Sequence, residues 1–214
     1  MTRRKPATAT TGSSTLPRSD LHELIDLPPQ AVASAVRLVT RAETMGLVRR
    51  PADFVFDAGR LLEAVLAIEH VGVGRGVDRR WSGPAATEAL ATLHEGLEGS
   101  PHPASEWPAM VELLGQPLVS RLTGAGETSI RRYAAGERTT PDDTAQRLHF
   151  VALVCADLLG AYNEFGVRRW FQRPRTTLGG RAPLEVLKEG WQPDDVPVRG
   201  VAELARSLTT MGAG

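Results

Sequence analysis

A single cysteine, Cys155, stands in the 214 residues of this chain. No internal disulfide is possible, and its place on an apolar helical face predicts a packed core thiol in a reducing compartment. The five histidines, His22, His70, His94, His102 and His149, show no close ligand spacing such as HxxxH, so no metal site is expected. Net charge is zero, with 25 basic and 25 acidic residues, which removes the overall cationic field that announces many nucleic-acid-binding chains. Apolar runs break well before the ~18 residues a membrane span requires, and no membrane association is expected. The stretch MTRRKPATATTGSST has no apolar h-region, which predicts no secretory signal and a cytoplasmic protein. Paired carboxylates, a nucleophile with its base and metal-ligand spacing are all missing, so the chain does not read as an enzyme and calls for no cofactor. Two glycine-rich stretches do not change this. VGVGRGVDRR follows a helix where a dinucleotide fingerprint needs a strand, and GAGETS places Glu127 where a phosphate-binding loop needs lysine.

What is present is helical periodicity. No stretch alternates with period two, which predicts an all-α, multi-helix protein. Residues 1–18, rich in Thr, Ser, Ala and Pro, read as a disordered tail. Residues 19–98 read as an N-terminal helical unit: a short helix from Asp20, a second with Val32, Ala35, Val36, Val39 and Ala42 on one stripe, and a third from about Asp53 to His70. A fourth runs from Ala85 to Leu97. The tract EGSPHPASEWP marks a boundary, with Ser105 as cap and Pro108 at the opening of the next helix. Residues 105–162 and 163–214 follow as two further units, joined by a long helix that starts at Thr140 or Asp142 and carries Leu148, Val151, Val154, Cys155 and Leu158.

The stretch QPLVSRLTGAGETSIRRYAAGER, Gln116 to Arg138, reads as two short helices around a tight glycine turn, the spacing of a helix-turn-helix. The first buries Leu118, Val119 and Leu122 and stops at Gly124. The second opens at Glu127, Thr128 and Ser129 and buries Ile130, Tyr133 and Ala134. At 100° per residue its other face shows Thr128, Arg131, Arg132 and Ala135, two long donors and a hydroxyl around a small residue, which fits a major groove. Thr128, Ser129, Arg131, Arg132 and Arg138 are therefore the candidate DNA-binding residues, with Arg138 placed for a backbone phosphate.

VSRLTGAGETSIRRYAAGER followed by Pro141 resembles the Xre-type helix-turn-helix. Trp170-Phe171, Leu178-Gly179-Gly180, Pro183-Leu184-Glu185 and Leu187 resemble the C-terminal domain of the Xre/MbcA/ParS antitoxin group. The likeness runs from roughly Ser105 to the C-terminus. It implies a DNA-binding antitoxin or autoregulator of a type II toxin-antitoxin system, a homodimer on duplex operator DNA, whose residues 163–214 engage a RES-type, NAD-consuming toxin. The partner-binding residues so implied are Arg168, Arg169, Trp170, Arg175, Leu178, Gly179, Gly180, Pro183 and Leu184. Between Gly166 and Arg181 there is no acidic residue, which suits an acidic or phosphate-bearing partner. A helical adaptor acting through protein contacts alone, or a regulator without a toxin, is the alternative.

Overall fold

Proline and glycine punctuate the chain, and helices run between them. The computed structural model describes residues 25–51, 56–77, 81–188 and 190–211, and these are helical apart from one pair of two-residue strands. Helix α1 (Pro29–Thr44) begins on proline, and α2 (Ala58–His70) is capped by the Asp57 carboxylate, which accepts from the Arg60 backbone N–H at 2.8 Å. After a glycine turn come α3 (Gly83–Glu98), α4 (Pro103–Leu114), α5 (Gln116–Thr123) and α6 (Glu127–Ala134). The long α7 (Asp142–Leu159) is followed by α8 (Glu164–Gln172), a 3-10 turn (Thr176–Leu178), α9 (Pro183–Val186) and α10 (Val196–Met211). Among the described residues, no helix is long and apolar enough to cross a membrane.

Several boundaries differ from the sequence expectation, each for a local reason. The expected tail, and the start of the expected helix from Asp20, lie outside the described residues. The end of that helix is extended instead: β1 (Ile25–Asp26) pairs in parallel with β2 (Trp81–Ser82). The third helix starts at Ala58, where Asp57 supplies the cap. Helix α4 starts at Pro103, so Pro108 lies inside it, and Ser105 Oγ donates to the His102 carbonyl at 3.2 Å instead of capping. On α1 the buried stripe is Ala31, Ala35, Leu38, Val39, Ala42 and Met45, while Val32 is 39% exposed.

Helix α7 is the centre of packing, in contact with α1, α4, α5, α8 and α10. Its Leu148, Val151, Val154, Cys155 and Leu158 are buried, each large aliphatic worth about 1.5–3 kcal/mol of transfer free energy. Burial pushes the Cys155 thiol far above its ordinary range, as befits an inert core side chain. One continuous cluster of buried side chains runs from Ala31 to Ala205, so helices on both sides of the tract 98–106 share a core. At Gly46 (φ +72) a Cβ would lie 2.6 Å from the Ser105 carbonyl, so only glycine lets the end of α1 approach α4 this closely.

A polar seam joins these helices. Buried Arg41 of α1 donates through Nη1 to Glu98 Oε1 at 2.8 Å and lies 3.5 Å from Asp157 Oδ1 on α7. Desolvation holds the Asp157 carboxyl above its usual range, against the pull of Arg41. His149 Nε2 donates to the Glu98 carbonyl at 3.1 Å, and His149 Nδ1 lies 2.6 Å from Glu106 Oε1. Because the carbonyl can only accept, Nε2 carries a proton. Nδ1 is left to the buried Glu106 carboxyl, and the contact between them joins α7 to α4. His94 follows the same logic: its Nε2 donates to the Ser34 carbonyl at 2.9 Å, and its Nδ1 accepts from Arg41 Nη1 at 3.4 Å.

Burial, then the Arg41 and Arg37 guanidiniums, holds His94 below the ordinary histidine value, against the Ser34 hydrogen bond and Glu98. A second proton would fall on Nδ1, facing Arg41. Below about pH 6.5 the unfolded chain therefore binds a proton at this site that the folded chain refuses, and stability falls as pH drops. The limit for one site is about 1.4 kcal/mol per pH unit. His102, also lowered by burial, acts in the same direction. Urea unfolding from pH 7 to pH 5 is expected to show a declining free energy, and His94→Gln a flatter decline. Equal slopes for the two proteins would contradict this assignment.

Candidate nucleic-acid interface

The helices α5 and α6 are held as a pair by their own side chains. Gln116 Nε2 donates to the Glu127 carbonyl at 2.8 Å, and Ser120 Oγ donates to the Ala125 carbonyl at 2.8 Å. Buried Thr123 Oγ1 donates to Val119 O at 2.9 Å and accepts from the Ala125 N–H at 3.3 Å. Gly124 between the helices has φ +75, the left-handed conformation that closes α5. Leu118, Val119 and Leu122 from α5 and Ile130 and Tyr133 from α6 enter the core as expected, and Ala134 is half-buried.

The outer face of α6 carries Thr128, Arg131, Arg132 and Ala135, all exposed, with Ser129 half-buried at its edge. Arg131 Nη2 reaches Thr128 Oγ1 at 3.4 Å, and among the described residues no carboxylate pairs with Arg131 or Arg132. Arg138 is placed by a stack. Trp107 packs on Tyr133 with ring centroids 5.4 Å apart, and the Arg138 guanidinium lies 5.7 Å from the Tyr133 ring centre. Trp107 Nε1 donates to Thr140 Oγ1 at 2.9 Å, which fixes the loop between α6 and α7. The five residues expected to meet DNA thus lie together on α6 and the loop behind it.

The residues assigned to partner binding divide. Trp170, Leu178, Pro183 and Leu184 are buried, so their contribution is to the packing of α8, the 3-10 turn and α9. Gly179 and Gly180 are exposed and close the turn with positive φ. Arg168 is engaged internally: its Nε donates to Leu113 O at 2.6 Å and its Nη2 to Glu112 O at 3.3 Å, at the C-terminal end of α4. Arg175 lies over the Trp170 ring, 5.4 Å from its centre, and is half-buried. Only Arg169 of the named arginines is both exposed and without an ion pair among the described residues. Arg173 and Arg181 complete the exposed cationic edge.

Two supports of the paired helices were not evident in the sequence. Trp191 Nε1 donates to the Leu122 carbonyl at 2.8 Å, tying the segment before α10 to the end of α5. Buried Arg147, held by the Asp143 carboxylate one turn earlier, covers Gly124. Arg121 on α5 lines a cleft of about 250 Å³ with Gln172, Pro174, Ala182, Leu184 and Glu185. A tryptophan after a glycine and an i,i+4 Asp–Arg pair are the signals; neither names its distant contact. Comparison with protein-family models, curated proteins and solved structures gives no match for this chain.

A Cβ at Gly124 would meet Arg147 Nη1 at 3.3 Å and place a side chain in the left-handed region. Gly124→Ala is expected to lower unfolding free energy by about 1–2 kcal/mol. Urea denaturation measures this, and an unchanged midpoint would show that the turn tolerates a side chain.

Proposed function

We propose that this protein is a sequence-specific, duplex-DNA-binding regulator that reads the major groove with α6. The observation that carries the reading is the exposed face of Thr128, Arg131, Arg132 and Ala135, without carboxylate partners, on a helix held by an internally hydrogen-bonded turn. Arginine donates two parallel hydrogen bonds to guanine, threonine supplies a hydroxyl and a methyl, and Ala135 lets the helix approach. Arg138, fixed over Tyr133, suits a backbone phosphate. One short reading helix contacts few bases, so a homodimer presenting two copies about 34 Å apart completes operator recognition.

The antitoxin role, with a RES-type toxin as partner, rests on the residue pattern from Trp170 to Leu187. Its support is narrower, since the apolar members of that pattern already pack internally. The outer face of α10 remains for such a partner.

Each base contact is worth about 1–3 kcal/mol, so Arg131→Ala combined with Arg132→Ala is expected to weaken binding to the protein's own promoter at least about tenfold. Gel shift at fixed salt measures this. Equal binding by wild type and variant would remove α6 as the reader and favour the adaptor that works through protein contacts.

A further inference from the structure

The chain is neutral overall, yet its charge is unevenly placed. Residues 116–138 and 163–181 together hold nine of the 25 basic residues and three of the 25 acidic ones. The structure brings these two stretches together around α5. Gln116 and Ser120 on one side of α5 hydrogen-bond to the turn and the start of α6, while Leu118, Val119 and Leu122 face the core. Pro117 and Arg121 are exposed, and Arg121 borders the cleft formed with Gln172 and Pro174 at the end of α8. The solvent face of α5 therefore lies between α6 and the arginine edge.

Arg169, Arg173 and Arg181 on that edge are exposed, and among the described residues none has a carboxylate within ion-pair distance. Arg181 is steadied through Nε, which donates to Leu178 O at 3.3 Å. The one carboxylate in the cleft, Glu185, accepts from the Ala182 N–H at 2.7 Å and so serves the start of α9. Glu164, at the far end of α8, lies 3.8 Å from Arg168. We propose that Arg121, Arg169, Arg173 and Arg181 form a second contact surface, for the phosphodiester backbone flanking the groove that α6 reads. A major groove about 12 Å wide places a phosphate strand on either side of the inserted helix. The strand on the α5 side meets Arg121 first and the edge beyond it. This inference rests on the α6 reading and extends its footprint.

The test uses full-length protein and fluorescent duplexes of random sequence, about 12 and about 30 base pairs long, because each phosphate contact adds about 0.9 to the slope of log affinity against log salt. Loss of Arg169, Arg173 and Arg181 to glutamine together is expected to make the slope on the long duplex shallower by about 2–3. The matching triple lysine variant restores the slope, since charge is what phosphate reads. Circular dichroism confirms that the exposed substitutions leave the helices intact. A glutamine variant with the wild-type slope on the long duplex overturns the second surface, leaves α6 standing, and turns the edge toward an acidic protein partner. Wild-type protein with no salt-dependent binding to either duplex overturns the α6 reading, and this inference with it.

Discussion

Glu98, at the last turn of α3, is the point on which the arrangement of helices depends. Its carboxylate accepts from Arg41 of α1, and its carbonyl accepts from His149 of α7, which in turn is hydrogen-bonded to Glu106 of α4. Four helices are joined by this chain of contacts. The Glu98 side chain is 45% exposed, so solvent screens its pair with Arg41, and little stability is assigned to that contact by itself. The His149–Glu106 pair differs: it is buried and closely hydrogen-bonded, and removal of either partner strands the other away from water. Such a contact specifies which helices adjoin more than it adds to stability.

From that seam the order passes to the interface. Glu106 and Trp107 are neighbours on α4. The first locks α4 to α7, and the second stacks on Tyr133 of α6 and bonds to Thr140 before α7. On the other side, Trp191 holds the end of α5 by its carbonyl, and Arg147 covers the glycine turn. The short helices α5 and α6, eight residues each, are too brief to be stable alone, and their geometry is imposed by these neighbours. The result is a rigid mount for an exposed face of two arginines and a threonine.

Much of this was legible in the sequence. The periodic apolar residues of α5, α6 and α7 entered the core where their spacing put them, and Gly124 closed its helix as a left-handed residue must. What escaped was non-local. Nothing in the order of residues says that His149 faces Glu98, or that Trp191 reaches Leu122, because such pairings are set by the packing of whole helices. Pro108 misled for a related reason: Pro103 was the better first position, and a helix packed by Trp107 and Met110 tolerates one missing hydrogen bond. In the C-terminal segment the pattern residues carried a correct local structure, a Gly-Gly turn before a short helix. Trp170, Leu178, Pro183 and Leu184 are themselves buried in that packing.

The central claim is that α6, on a mount fixed by the rest of the chain, is the surface that meets DNA. Amide hydrogen exchange on the full-length protein, with and without saturating duplex, tests it most directly. The account predicts added protection at residues 124–132, with α1 to α3 unchanged. Protection confined to α10 or to the N-terminal helices, or none at any residue under binding conditions, would contradict it.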